Sequence, residues 1–322
     1  MHPRRLRVLA AASLALGLAV DRLGRKVPML LGLGGLFAAT LRFATPLVLG
    51  GLGGVLSERS GVVNIAIEGM MLMGCFWGFW AASESMSWPL GIVVAMLAGG
   101  ISALIHAFFA IHLGADQIIS GTAVNILALG ITGFAFRDLI GSATPDVTPI
   151  PNIKIPGVAS IPLIGGVIDD QNLLVWLALI LTVAIWFFIV KTPWGLRLRA
   201  VGEHPRAADT VGIDVYRVRY IAVVVSGMLA GLAGSFISFG FGAFFSEGMT
   251  QGRGFIALAA VVFGNWRPFG VLWASLLFGF ASALADQLQT AASLNASLVN
   301  VLPYLFTLVA MIGLVGRSRP PA

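Results

Sequence analysis

Two polar side chains stand where an apolar run has little room for them. From Gly61 to Ala82 the chain runs 22 residues with one charge, Glu68, and with Asn64 four positions before it. A charged group in the centre of a bilayer costs about 2.5–3.5 kcal/mol on insertion scales, so it has to face a bundle interior or a water-filled cavity. If the whole run is helical, Asn64 and Glu68 share a face, and Met71 and Cys75 continue the stripe. Met70, Met71 and Met73 add flexible, polarizable packing. Two chemistries fit these residues. One is a polar stripe along a translocation pathway. The other is a tether, with Glu68 bonding a neighbouring helix or staying protonated.

A second polar set lies in "GADQIISGTAVNILALG". Asp116 and Gln117 open an apolar run and Asn125 follows within it. Gln117 and Asn125 are eight apart and fall on roughly one helix face. Asp116 also suits a helix start, where the dipole favours an anion. His106 and His112 are six apart, which does not place two ligands on one face as an i, i+4 pair would, so no metal site is expected. Asp286 and Gln287 read as a solvated span end.

Asn64, Glu68, Gln117 and Asn125 can exchange hydrogen bonds with a polar ligand, but they do not form a bond-breaking set. No catalytic residue is assigned. The lysines, Lys26, Lys154 and Lys191, stand in no GxxxxGK[ST] context, so the chain has no P-loop for ATP. A GxSxG elbow and an HExxH helix are also missing from the sequence. No cofactor is expected on this chain.

The elements that position these residues are membrane spans. The chain has 322 residues, 58% of them hydrophobic and only 11% charged, against about 25% charged in soluble domains. A spanning helix needs roughly 20 apolar residues. Candidate spans are 6–22, 40–56, 61–82, 89–112, 117–138, 172–190, 218–240, 252–264, 268–286 and 298–316. The run 252–264 is too short to cross as a helix and reads as re-entrant or broken, buried in protein. The expected fold is an all-α polytopic bundle of about 8–10 spans.

Charge in the loops sets orientation. The loop 191–217 holds Lys191, Arg197, Arg199, Arg206 and Arg217, the N-terminus holds Arg4, Arg5 and Arg7, and the C-terminus Arg317 and Arg319. By the positive-inside rule all three are cytoplasmic. The loop 142–171 carries one lysine and five prolines and reads as external and irregular. Arg22, Arg25 and Lys26 disagree, since they would fall outside. The net charge of +6 thus serves topology and lipid contact, and a nucleic-acid partner is not expected. Cys75, the one cysteine, cannot form an internal disulfide. Residues 1–20 also have the charge pattern of a cleavable signal peptide, but a polytopic chain favours an uncleaved first span. Gly74 with Gly78, and Gly227 with Gly231, are small-xxx-small pairs suited to close helix packing.

The cytoplasmic loop has organisation of its own. Pro193 and Gly195 end the preceding span. Glu203-His204-Pro205 starts a short helix, with proline near its first turn, and Gly212 closes it. A capped helix bearing the small residues Ala207 and Ala208 suits docking in a partner's cleft, whereas an ordinary basic loop needs no caps.

Here two resemblances enter. "DRLGRK" (Asp21 to Lys26) looks like the loop motif of major facilitator transporters, but it follows at most one span. More extensively, "GEHPRAADTVGI" resembles the ATPase-docking loop of ABC importer permeases of the branched-chain amino acid, ribose and nucleoside family. It matches that family's GxNPxAAxxxGI form at Gly202, Pro205, Ala207, Ala208, Gly212 and Ile213, with His204 in place of Asn. "SGMLAGLAGS" and "GRGFIALAAVVFGNWRPFG" also look like that family, and "GGLGGVLSERSGVVNIAIEGMM" is similar to its nucleoside-uptake branch. The resemblance covers roughly residues 40–316 as one permease domain, leaving 1–39 as a poorly matched N-terminal segment and 317–322 as a cytoplasmic tail.

The resemblance implies a multi-pass cell-membrane permease subunit of an ATP-driven importer of nucleosides. Its implied partners are an ABC ATPase subunit, which binds the ATP, a second homologous permease subunit and an extracytoplasmic substrate-binding lipoprotein. Gly202, Glu203, Pro205, Ala207, Ala208, Gly212 and Ile213 would form the coupling helix. A sugar or branched-chain amino acid importer stays open, as does an ion-coupled secondary transporter with Glu68 as its proton or sodium site.

Overall fold

The computed structural model describes residues 33–141, 145–154, 167 and 170–292. The expected spans 6–22 and 298–316, the "DRLGRK" segment and the tail at Arg317 and Arg319 lie outside them. Within the described residues the regular secondary structure is helical apart from two two-residue strands, Asn152–Ile153 and Gln171–Asn172. The helices are α1 (Leu33–Arg59), α2 (Ile67–Ser85), α3 (Trp88–Ala107), α4 (Gln117–Ala135), α5 (Leu173–Lys191), α6 (Pro193–Glu203), α7 (Pro205–Thr210), α8 (Val215–Ser235), α9 (Arg253–Phe263) and α10 (Pro268–Ala292). Helices α3, α4 and α8 each run on into a five-residue π turn, Phe108–His112, Phe136–Ile140 and Phe236–Gly240.

Six described helical stretches are long and apolar enough to cross a membrane: Gly34–Arg59, Trp88–His112, Gln117–Ile140, Leu173–Lys191, Val215–Gly240 and Pro268–Gln289. They bear out an all-α polytopic bundle. Four departures from the sequence reading matter. The run 61–82 is not one helix, because α2 begins only at Ile67. The loop 191–217 contains an unforeseen eleven-residue helix, α6. Pro193 does not simply end a span; it occupies the first turn of α6, and the Thr192 hydroxyl caps that helix by accepting from the Gly195 amide at 3.1 Å. Finally, Asp286 and Gln287 lie inside α10, which continues to Ala292.

The chain divides into two compact units. One comprises residues 1–44, 153–171 and 276–318. In its described part Gly279 lies against the Thr40 carbonyl and Ala44, and Leu36, Ala283 and Leu284 form a small buried cluster. The other comprises residues 45–152, 172–275 and 319–322 and holds every candidate site residue.

The second unit is organised on a glycine seam. A methyl built on Gly74 would overlap the Gly231 carbonyl, one on Gly231 would overlap the Ala95 carbonyl, and Gly99 and Gly227 bear the same relation to each other. The backbones of α2, α3 and α8 therefore touch. Lipid supplies no hydrophobic drive between helices, so dispersion gained by this approach takes its place. Cys75, on α2, is fully buried inside the packing and is a free thiol. Ile119, Ile126, Phe134 and Trp273 are among the large apolar side chains that face outward, as lipid requires.

Candidate functional site

Between α1 and α2 lies a strap, Ser60–Ala66, with no helix to pair its backbone. In a bilayer an unpaired peptide group costs several kcal/mol, so irregular backbone survives only where protein satisfies it. Polar side chains do this, Gln117 and Asn125 of the sequence-selected set among them. The Ser57 hydroxyl donates to the Val62 carbonyl at 2.7 Å. Arg219 Nε, on α8, donates to the Ser60 carbonyl at 3.1 Å. The Val63 amide donates to Gln117 Oε1 at 2.7 Å, and the Val63 carbonyl faces His106 Nε2 at 3.2 Å. Asn125 joins the strap to the start of α2, donating from Nδ2 to the Ile65 carbonyl at 3.0 Å and accepting the Gly69 amide on Oδ1 at 2.7 Å.

His106 is fully buried on α3, with Nδ1 at 3.0 Å from the Ser120 hydroxyl. Since a carbonyl only accepts, the neutral ring carries its proton on Nε2 and takes the Ser120 proton on Nδ1. The sequence reading weighed His106 only as a metal ligand and missed this brace.

Asn64 is not on a helix face with Glu68; it sits in the strap. It is fully buried, donating from Nδ2 to the Ser226 hydroxyl at 3.0 Å, and its Oδ1 has no partner. Met71 and Cys75 do continue from Glu68 along α2, both fully buried. Asp116 caps α4, accepting the Ile118 and Ile119 amides at 2.8 and 3.1 Å.

Glu68 acts as a tether. Its Oε1 accepts the Gly252 amide at 2.8 Å and its Oε2 the Gly254 amide at 2.6 Å. Both amides belong to the start of α9, so the carboxylate takes up two unpaired donors and meets the positive end of the helix dipole. Gly254 has no space for a side chain, since one would run into the Glu68 backbone. Arg253 holds the turn before α9, donating to the Met249 carbonyl at 2.9 Å. The loop leading there is pinned by Arg137, whose Nη2 lies 2.9 Å from Glu247 Oε2; that hydrogen bond holds the Glu247 carboxyl below the usual carboxylate range.

The eleven residues of α9 rise about 16 Å. At its other end Trp266 donates from its indole to Glu58, and the Trp266 carbonyl accepts from Arg59 Nε at 3.0 Å. Thus α9 joins the Glu68 contact at its start to the Glu58–Arg59 corner just past its end.

Arg59 in turn meets the basic loop. A methyl on Gly202 would overlap the Arg59 carbonyl and crowd the Gly61 amide. Gly202 and Glu203, expected in the coupling helix, instead end α6, because Pro205 starts a new helix; α7 follows, with Ala208 turned inward and Arg206 and Ala207 exposed, as is Glu203 before it. Gly212 adopts φ +82°, the left-handed conformation that glycine enters without strain. There the Ile213 amide reaches back to the Ala208 carbonyl at 3.1 Å and the Gly212 amide to Asp209 at 2.9 Å, closing the helix. Val211 at the tip is 74% exposed. Gly202→Ala should cost about 1–3 kcal/mol through overpacking. A thermal-melting comparison in detergent checks it; an unchanged midpoint would mean that the hook and the strap do not touch.

The architecture is that of a transport subunit: polar residues spent on bracing broken backbone within apolar spans, and a capped helix presented on the basic side. The family described as the branched-chain amino acid transport system permease component matches residues 36–314, and the chain belongs to it. It is thus a multi-pass cell-membrane permease and a transport component, not an enzyme. The chain is 45% identical to the guanosine ABC transporter permease protein NupQ of Bacillus subtilis, over 88% of this chain and 92% of that one. It is 39% identical to the putative glucose ABC transporter permease protein TsgC13 of Haloferax volcanii, over 85% of each. It is 35% identical to the nucleoside ABC transporter permease protein NupC of Lactococcus lactis, over 88% of this chain and 93% of that one.

Proposed function

We infer that this chain is the membrane permease of an ATP-driven importer of nucleosides. It works with an ABC ATPase subunit that binds the ATP, a second permease subunit and an extracytoplasmic substrate-binding lipoprotein. The observation that carries the reading is the hook formed by residues 202–213: capped at its end, exposed along α7 and seated through Gly202 on Arg59. The names of the relatives from Bacillus and Lactococcus support a nucleoside as cargo. Asn64, Glu68, Gln117 and Asn125 act on the pathway by fixing the strap and the start of α9. Asn64 Oδ1 is a buried acceptor without a partner in this structure, so only a rearrangement of the strap would bring it to a polar neutral ligand.

A second reading, sugar import, has the Haloferax relative in its favour. Competition decides between them. In proteoliposomes holding the assembled transporter, ATP-dependent uptake of labelled guanosine should be suppressed by excess inosine or adenosine and not by glucose. The reverse pattern would replace nucleoside with sugar. Removing residues 203–212 should abolish uptake while leaving membrane insertion intact; full uptake by that deletion would end the docking role.

A further inference from the structure

We propose that the strap Ser60–Ala66 is the mechanical link from the docking hook to a latch at the level of Glu68, and that Arg219, Gln117, His106 and Asn125 are its positioning residues. The inference rests on the reading of residues 202–213 as the ATPase contact, and goes beyond it by naming where the motion travels.

Contacts run without a break along the strap. Gly202 lies on the Arg59 carbonyl and against Gly61 at one end. Arg219 holds the Ser60 carbonyl, Gln117 and His106 hold the Val63 N–H and C=O in turn, and Asn125 holds the Ile65 carbonyl. The same Asn125 amide group holds the Gly69 amide, one residue beyond Glu68. Glu68 then closes on Gly252 and Gly254. A side chain at Gly121 would press on Ile65 and the Ala66 amide, so α4 lies directly against the strap. Turns at Ser60–Gly61 and Ile65–Ala66 bracket Val62–Asn64, and the side-chain hydrogen bonds along this stretch make it move with its partners and not as a loose loop.

The surroundings separate moving from fixed parts. Helices α2, α3 and α8 are locked backbone to backbone by the glycine seam. By contrast α9 is short: it meets the α2 backbone at Gly254, next to Glu68, and side-chain hydrogen bonds to Glu68 and to the Glu58–Arg59 corner hold its two ends, so it can pivot about that approach. Hydrogen bonds from side chains can exchange partners, whereas interlocked backbones cannot shift without losing contact over their whole length. A pull on Arg59 and Gly61 therefore acts on the strap and on both ends of α9.

The test is residue-resolved hydrogen exchange on the assembled transporter in lipid nanodiscs, nucleotide-free against trapped with ATP and orthovanadate. The amides of Val63 and Gly69, which donate to Gln117 and Asn125, and those of Gly252 and Gly254, which donate to Glu68, should change exchange rate by about tenfold between the two states. A response in residues 203–213 with none at 63, 69, 252 and 254 would overturn the link while leaving the docking reading intact. No response in either region would remove the docking reading, and the link with it. In Asn125→Ala the change should reach Val63 but not Gly252 or Gly254; if it reaches them undiminished, the path does not run through Asn125. A merely structural role for these residues would move stability and not a nucleotide-dependent rate. If Asn125→Ala fails to fold, the wild-type comparison alone still decides.

Discussion

Glu68→Ala should destabilise the permease by about 3–5 kcal/mol and abolish transport. It removes two charge-assisted hydrogen bonds, each worth about 1.5–3 kcal/mol, and leaves the Gly252 and Gly254 amides without a partner at the start of α9. Glu68→Gln keeps one carbonyl acceptor and loses the charge facing the helix dipole. It should keep part of the stability and only a few per cent of the uptake rate, on the order of a tenfold or greater loss. Thermal melting in detergent and ATP-dependent uptake in proteoliposomes measure the two effects separately. Wild-type uptake by Glu68→Ala would show that α9 needs no latch.

The second large effect lies in the glycine seam. Gly231→Ala should prevent accumulation of folded protein, because the added methyl collides with the Ala95 carbonyl and the neighbouring Met96 backbone. Backbone cannot step aside as the tip of a side chain can. The cost therefore belongs at or above the upper end of the about 1–3 kcal/mol usual for overpacking. Gly130→Ala is the matched control. It is also a helix glycine, but a methyl there meets nothing within 4 Å. It should be neutral or stabilising by up to about 1 kcal/mol, as alanine is the better helix former. Fluorescence-detected gel filtration of the two variants reads the difference. Equal yields of monodisperse protein would mean that α2, α3 and α8 are not in backbone contact.

How far the sequence carried these conclusions depended on the kind of signal. Apolar run length located α3, α4, α5 and α8 well, since lipid imposes the same length on each. The shortness of α9 was visible for the same reason. The hook was legible because its closure is local: Pro205 opens it and Gly212 ends it, each by its own backbone preference. The strap was not legible. Val62, Val63, Ile65 and Ala66 are as apolar as a helix, and the side chains that pair the backbone of Ser60, Val63 and Ile65 lie 43 to 159 residues away. The helical face drawn through Asn64 and Glu68 failed for this reason. The polarity had been noticed correctly, but its purpose was to satisfy backbone and not to line a helix. The helix α6 was missed despite a local signal, Thr192 followed by Pro193, which is a helix start as readily as a stop.

Cys75 has a practical consequence. The chain carries a single thiol, and it is sealed within the packed unit at 0% exposure. A water-borne maleimide or spin label finds nothing to react with, so the native chain already serves as its own unreactive background. A cysteine introduced at Val211 or Ala207 would report alone, with no residue removed to make it possible.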